Sequence, residues 1–159
     1  MTDTIGELPA AVRDRALPVV AGVPDDRLAA PTPCAEYDVR DLLNHLFHVV
    51  VGFRAIAARQ PADFSSTPDR LAALGDGWRD RFAEEAALLV EAWAVPGADE
   101  GVAGSMNLPA RTVGGMVLLD LTVHAWDLAR ATDRAFVPGE DAVRVLAALV
   151  DEMGRRRAP

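Results

Sequence analysis

The feature that most limits the fold of this chain is a recurrent helical spacing of apolar residues, interrupted by prolines and glycines. Five segments have this spacing, at about residues 8–21, 38–59, 67–93, 112–131 and 139–155. The stretch from Val95 to Arg111 is rich in glycine and proline, which predicts a long connection with a short strand pair around Gly101 to Leu108. We therefore predict an all-α fold, in which four long helices form a bundle and one additional short helix flanks it.

Local signals give the ends of these helices. Gly22 and Pro24 end the first, and Asp38 caps the second. Thr67 followed by Pro68 predicts the start of the third helix, because a capping side chain precedes a proline at the first helical position. The apolar positions that we expect to face the core on the second and third helices are Leu42, Leu46, Val49, Phe53, Ile56, Leu71, Leu74, Trp78, Phe82, Leu89 and Trp93.

Composition narrows the classes of protein to which the chain can belong. Its 159 residues fit one domain, 1–159, and its net charge of −8 argues against a nucleic-acid partner. The basic run from Arg155 to Arg157 is typical of a helix C-terminus. Cys34 is the only cysteine, which excludes an internal disulfide and favours a reducing compartment.

Targeting signals are absent from the sequence pattern. The first seven residues lack a basic start and an apolar run, and no segment approaches about 20 uninterrupted apolar residues. We therefore expect a cytoplasmic protein that neither spans nor binds a membrane. All 16 basic residues are arginine, a bias that is typical of a high-GC genome.

Three histidines and two carboxylates are candidates for chemistry. His45 lies within the apolar stripe of the second helix, where it is either a core histidine or a ligand. In the fourth helix, spacings of four and three residues place Asp120, His124 and Asp127 on one inward face. His45, Asp120 and His124 together would hold a divalent transition metal, zinc first and nickel, iron or manganese as alternatives. The alternative is a buried Asp–His hydrogen bond beside a separate core histidine.

The remaining candidates each have two interpretations. His48 lies toward the polar side of its helix, where it either lines the mouth of the site or is a surface histidine. Asp127 either orients a ligand imidazole or ties the fourth helix to a neighbour. Cys34 is either a thiol nucleophile or, as we expect, a small buried side chain.

Two motifs about 80 residues apart resemble a known family. The segment from Thr32 to His45 is similar to its Thr-Pro-Cys-x-x-Trp-x-Val-x-x-Leu-x-x-His, with Tyr37 replacing tryptophan. The segment around His124 is similar to its Glu-x-x-x-His-x-x-Asp-Leu, with Asp120 where glutamate is usual. The chain thus resembles the metal-binding proteins related to the N-terminal domain of mycothiol-dependent maleylpyruvate isomerase, within the DinB-like superfamily.

The resemblance implies a DinB-like bundle whose metal is held by His45, Asp120 and His124. It further implies a thiol-dependent S-transferase or isomerase, with an electrophilic small molecule as substrate. The co-substrate would be mycothiol or bacillithiol, and the high-GC bias fits mycothiol better. We assign catalytic roles to Asp127, which would orient a ligand, and to His48, which would move a proton at the mouth. The alternative function is a non-catalytic binding or structural module, and a homodimer is compatible with either.

Overall fold

Six α-helices and one two-stranded sheet form within Ile5 and residues 7–157, which the computed structural model of the chain describes. Of the first seven residues, in which we predicted no targeting signal, five lie outside the described residues, as do residues 158 and 159 of the expected domain 1–159. The helices are α1 (Leu8–Ala21), α2 (Val39–Ala57), α3 (Arg70–Leu74), α4 (Trp78–Ala94), α5 (Ala110–Ala131) and α6 (Glu140–Arg156). The strands are β1 (Val102–Ala103) and β2 (Leu108–Pro109).

The bundle consists of α1, α2, α4 and α5. Both α1 and α2 pack against α4 and α5, so α1 lies diagonally opposite α2. The short α3 contacts α2 and α4, and α6 packs along α5 and α1. The all-α four-helix bundle is therefore confirmed. The flanking helix is not short, however, because α6 has 17 residues, as many as α4.

The apolar stripes of the sequence form the core. Val12, Val19, Leu42, Phe82 and Leu128 are all buried in one cluster. Trp78 and Trp93 are also buried, as predicted for core residues. Leu74 is the exception, because it ends α3 and remains 38% exposed.

The N-terminus of α2 has the predicted cap in full. The Asp38 carboxylate accepts a hydrogen bond from the Asp41 backbone N–H at 2.8 Å, and the Asp41 carboxylate accepts one from the Asp38 N–H at 3.3 Å. Such a reciprocal capping box satisfies two of the free N–H groups at a helix start. The helix ends at Ala57, and Arg59 follows with a left-handed φ of 58°. The cap fixes the helix that carries His45.

The predicted third helix is wrong in two respects. It starts at Arg70 rather than after Thr67, because Asp69 is the residue whose side chain accepts from the Ala72 N–H. It is also two helices, α3 and α4, separated by a 3-10 turn over Gly75–Gly77. Gly75 has a φ of 57°, which breaks the helix and which glycine adopts without strain.

The connection before α5 contains the predicted strand pair. Val102 pairs with Pro109 and Ala103 with Leu108, antiparallel. α5 follows directly after β2, two residues earlier than predicted. Arg155 and Arg156 lie in the last turn of α6, as predicted for a helix C-terminus. Within the described residues, no helix has the length and apolar character needed to cross a membrane.

Candidate metal centre

The turn before α2 presents an aromatic ring to the site. Thr32 Oγ1 donates a hydrogen bond toward the carbonyl oxygens of Cys34 and Tyr37, at 2.9 and 2.7 Å, and the Tyr37 N–H donates to the Cys34 carbonyl. Pro31 and Asp38 form an isolated antiparallel bridge across the base of the turn. The turn thereby stacks the Tyr37 ring on the His45 ring, with centroids 5.4 Å apart and planes 22° from parallel.

Two packed helices bring the three predicted ligands together. His45 comes from α2, and Asp120 and His124 come from α5. The Asp120 Oδ1 lies 3.6 Å from the His124 Nε2 and 3.9 Å from the His45 Nε2. One ligand atom from each of the three residues lies within 4.8 Å of the others. The chain thus contains a His–Asp–His cluster that could hold a metal ion.

The spacing of these atoms suits a divalent metal. Bonds of about 2.0–2.2 Å at tetrahedral angles place two ligand atoms about 3.3–3.6 Å apart. The Asp120–His124 pair already meets this separation, and the His45–Asp120 pair exceeds it by a few tenths of an ångström. Two imidazoles and a carboxylate are a donor set used by zinc, nickel, iron and manganese. The aspartate side chain, where the resembling family has glutamate, thus brings its Oδ1 within 4 Å of both imidazole nitrogens.

Asp127 holds one candidate ligand, His124, in place. Its Oδ2 lies 2.9 Å from the His124 Nδ1, and its side chain is only 8% exposed. A carboxylate at Nδ1 fixes the proton on that nitrogen and leaves Nε2 with a free lone pair. The free nitrogen is the one closest to Asp120, so the tautomer and the ring orientation both suit a ligand.

The three ligands are reachable from solvent. The side chains of Asp120, His45 and His124 are 36%, 23% and 14% exposed. A site of three protein ligands with solvent access leaves positions for a further ligand, whereas a structural metal is usually closed by four. The cavity of about 530 Å³ between α1, α5 and α6 is lined by none of these residues. The donor chemistry, rather than cavity size, identifies the site.

His48 is not a surface histidine, and that interpretation is wrong. Its two ring nitrogens are buried without a hydrogen-bond partner, and its ring meets the Phe64 ring at a centroid distance of 5.3 Å. Phe64 belongs to the segment after α2 and also covers Gly52, where a Cβ would meet the ring at 2.5 Å. The polar side of α2 is thus covered by a loop. The assignment of His48 to proton transfer stays a prediction.

Asn44, on the same helix, is buried by the start of α3. Its Oδ1 accepts a hydrogen bond from the Leu71 N–H, and its Nδ2 donates to Asp69. Asn44 and Arg40 both contact Asp69, whose pKa is held below its ordinary range chiefly by the Ala72 N–H, then by Asn44 and Arg40. These contacts fasten the start of α3 to α2. The helical pattern of α2 contained no sign of this cover.

Cys34 is partly exposed, so the expectation of a small buried side chain is wrong. The residue that sequence reasoning missed is Tyr37. Burial raises the pKa of its hydroxyl, and nearby negative charges, among them Glu36 and Asp120, add to the effect. Its position eight residues before His45 in the first motif was the available signal.

Comparison with known proteins agrees with this geometry. The family described as mycothiol maleylpyruvate isomerase N-terminal domain matches residues 10–129. Two curated relatives, both uncharacterized proteins of Mycobacterium tuberculosis (strains CDC 1551 / Oshkosh and ATCC 25618 / H37Rv), are each 34% identical over 124 residues. The alignment covers 74% of this chain and 61% of each relative, so the chain spans less than two thirds of their length. No solved structure matches the chain.

The matched region includes all three metal-ligand candidates and Asp127, and it begins in α1 and ends in the last turn of α5. It therefore covers the whole bundle and leaves α6 outside. The chain belongs to the mycothiol maleylpyruvate isomerase N-terminal domain family.

Proposed function

We propose that this protein binds one divalent transition metal, with zinc as the first candidate, and uses it in a thiol-dependent S-transfer or isomerisation. The observation that carries the proposal is the cluster of His45, Asp120 and His124 on facing helices, with ligand atoms within 4.8 Å of one another. The family name supports mycothiol as the thiol, and the arginine-only basic composition of a high-GC genome agrees with it. The second substrate would be a small electrophile.

The chain's own residues would act in separate roles. His45 and His124 supply neutral imidazole nitrogens, and Asp120 supplies a carboxylate oxygen. Asp127 keeps the His124 ring in one orientation and on one tautomer. When bound there, the metal would lower the pKa of a thiol enough to give a nucleophile at neutral pH.

The surroundings of the cluster support binding of an incoming thiol. Asp120 is the most exposed of the three ligands, so a small molecule would approach from its side. The Tyr37 ring shields one face of His45, and the partly exposed Cys34 lies in the same turn. A cytoplasmic location would supply a reduced low-molecular-weight thiol.

Thiol binding can be tested with cobalt in place of zinc. We expect mycothiol to add a sulfur-to-cobalt charge-transfer band to the near-ultraviolet spectrum of the cobalt-loaded protein. Mycothiol methylated at its sulfur atom cannot form a thiolate, and we expect it to add no band. Asp120→Asn should weaken or abolish the band. Asp133→Asn, at an exposed position on the loop after α5, serves as the matched control. A cobalt-loaded protein whose spectrum is unchanged by mycothiol would contradict the thiol-dependent function.

A non-catalytic module is the competing function. A closed, inert metal would require the ligands to be shielded from solvent, whereas Asp120 is about one third exposed. The partial exposure therefore favours an open site over a structural one. Turnover of an electrophile by the loaded protein, dependent on both mycothiol and metal, would separate the two functions.

A further inference from the structure

One flank of α6, beside its buried side, carries an apolar stripe that no described part of the chain covers. Val143, Ala147, Val150 and Gly154 are all exposed, and the two valines are 49% and 50% exposed. Their spacing of four, three and four residues is that of the a and d positions of a coiled coil. The adjacent side of the helix, with Ala142, Leu146 and Leu149, is buried against the bundle.

The charges around this stripe are self-complementary in an antiparallel arrangement. If two copies of α6 pair about a two-fold axis, Ala147 of one faces Val150 of the other, and Val143 faces Gly154. The same register brings Arg144 opposite Asp151 along one edge of the stripe. It also brings Glu140 opposite Arg157 at each end. All four facing charge pairs of such an assembly are then of opposite sign, whereas a parallel pairing would place like charges opposite one another.

The small side chains fit close contact between two helices. Val143 to Gly154 spans about 17 Å of helix at 1.5 Å per residue. Ala147 near the centre of the stripe and Gly154 at its end let the two helix backbones approach each other. The valine side chains fill the remaining space between them. The other edge of the stripe, at Leu146 and Met153, packs on the chain's own core, so a partner helix is guided to the charged edge.

We infer that α6 joins two copies of this chain into an antiparallel homodimer through Val143, Ala147, Val150 and Gly154, with Arg144 and Asp151 paired between the copies. The interface is short, so we expect a weak, concentration-dependent dimer. This inference is independent of the proposed function, because it uses no residue of the metal centre. The family match ends at residue 129, so the interface also lies outside the region that defines the family.

The first test is sedimentation velocity over a range of protein concentrations. The wild-type protein should shift from monomer to dimer as concentration rises, and Ala147→Glu should remain monomeric. Arg144→Asp and Asp151→Arg should each raise the dimer dissociation constant at least ~10-fold, because each places like charges opposite one another twice in the dimer. Asp141→Asn removes the 2.6 Å ion pair within α6 to Arg144 and is the matched control that should leave dimerisation intact.

The decisive test is to mix the two charge-reversed variants. A copy with Arg144→Asp carries two acidic side chains on its edge, and a copy with Asp151→Arg carries two basic ones. The mixture should therefore form a heterodimer, although each variant alone is monomeric at the same concentration. Circular dichroism would verify that every variant is folded. A wild type that is monomeric at all concentrations, a dimer that persists with Ala147→Glu, or no association in the mixture would overturn the inference.

Discussion

At the scale of single residues, Asp127 is the side chain that positions a candidate metal ligand, His124. Its side chain is buried, and the one hydrogen bond described for that side chain is the contact of 2.9 Å with the His124 Nδ1. A carboxylate in this position raises the basicity of the imidazole and limits its rotation, and loss of such a partner typically costs about 10- to 100-fold in metal affinity. Asp127 would thus act on a bound metal through His124 rather than by contact.

We therefore predict that Asp127→Asn weakens zinc binding by about 10- to 100-fold while the protein stays folded. The physical reason is that an amide can present its N–H₂ group to Nδ1 and favour the wrong tautomer. Competition with a chelator of known affinity measures the change, and Asp133→Asn serves as the control at an exposed carboxylate. An unchanged zinc affinity would show that Asp127 has only a packing role.

His48 is the residue for which sequence and structure disagree most. Helical spacing placed it on the polar side of α2, and the sequence around residue 64 contained nothing to indicate that a phenylalanine covers it. Its two ring nitrogens are buried without hydrogen-bond partners, which lowers the stability of the folded protein. A contact made by a distant loop cannot be read from the periodicity of one helix.

We predict that His48→Leu raises the free energy of unfolding by about 1 kcal/mol, because it replaces two buried polar atoms that lack partners with apolar ones. Urea denaturation measures the change, and zinc affinity should be unaltered. A lower free energy of unfolding would mean that the ring nitrogens have partners after all. A loss of turnover with unaltered stability would instead support the proton-transfer role.

At the scale of helices, the sequence pattern gave α1, α2, α5 and α6 to within a few residues, because each has a continuous apolar stripe and strong end signals. It failed between α2 and α4, where short-range signals compete with long-range contacts. Thr67 and Pro68 form a plausible helix start by themselves. Asp69 is the actual cap because Arg40 and Asn44 of α2 bind it from outside the segment.

The Asp69 cap leads to a prediction about pH. Hydrogen bonds from the Ala72 N–H, Asn44 and Arg40 lower the pKa of Asp69 below its ordinary value of 3.8. Its contribution to stability is therefore fully present above about pH 4 and is lost as the pH falls through the lowered folded-state pKa. We predict that Asp69→Ala destabilises the protein at pH 6 and that the difference from wild type shrinks toward pH 2.

Urea denaturation of both proteins across this pH range measures the difference. Asp63 also has a lowered pKa, because Ser65 donates hydrogen bonds to its carboxyl. Asp63 is present in both proteins, so its contribution to the pH dependence of stability cancels in the comparison. A destabilisation that is constant from pH 6 to pH 2 would contradict the linkage to Asp69 ionisation.

At the scale of the whole molecule, the bundle makes the site by packing α2 against α5. The sequence identified all three ligand candidates, because inward-facing histidines and carboxylates are unusual in an apolar stripe. It could not establish that the two helices align in register or that the Asp120 oxygen lies between the two imidazoles. Those facts depend on the packing of all four helices, as does the stacking of Tyr37 on His45.

Because the ligands come from two separate helices, a bound metal should stabilise the folded chain. Free zinc at 100 times its dissociation constant should add about 2.7 kcal/mol to the free energy of unfolding. The gain should disappear with His45→Ala, which removes the only ligand on α2. Chemical denaturation with and without zinc measures it. An equal gain in the variant would mean that zinc binds elsewhere.

We propose that His45, Asp120 and His124 together hold one divalent metal, and elemental analysis of untagged protein can measure that metal. Wild-type protein, His124→Ala and the control His48→Leu would be incubated with zinc, desalted and analysed by plasma mass spectrometry. We expect about one equivalent of metal in the wild type and in His48→Leu, and near none in folded His124→Ala. No metal in the wild type, or full metal content in His124→Ala, would contradict it.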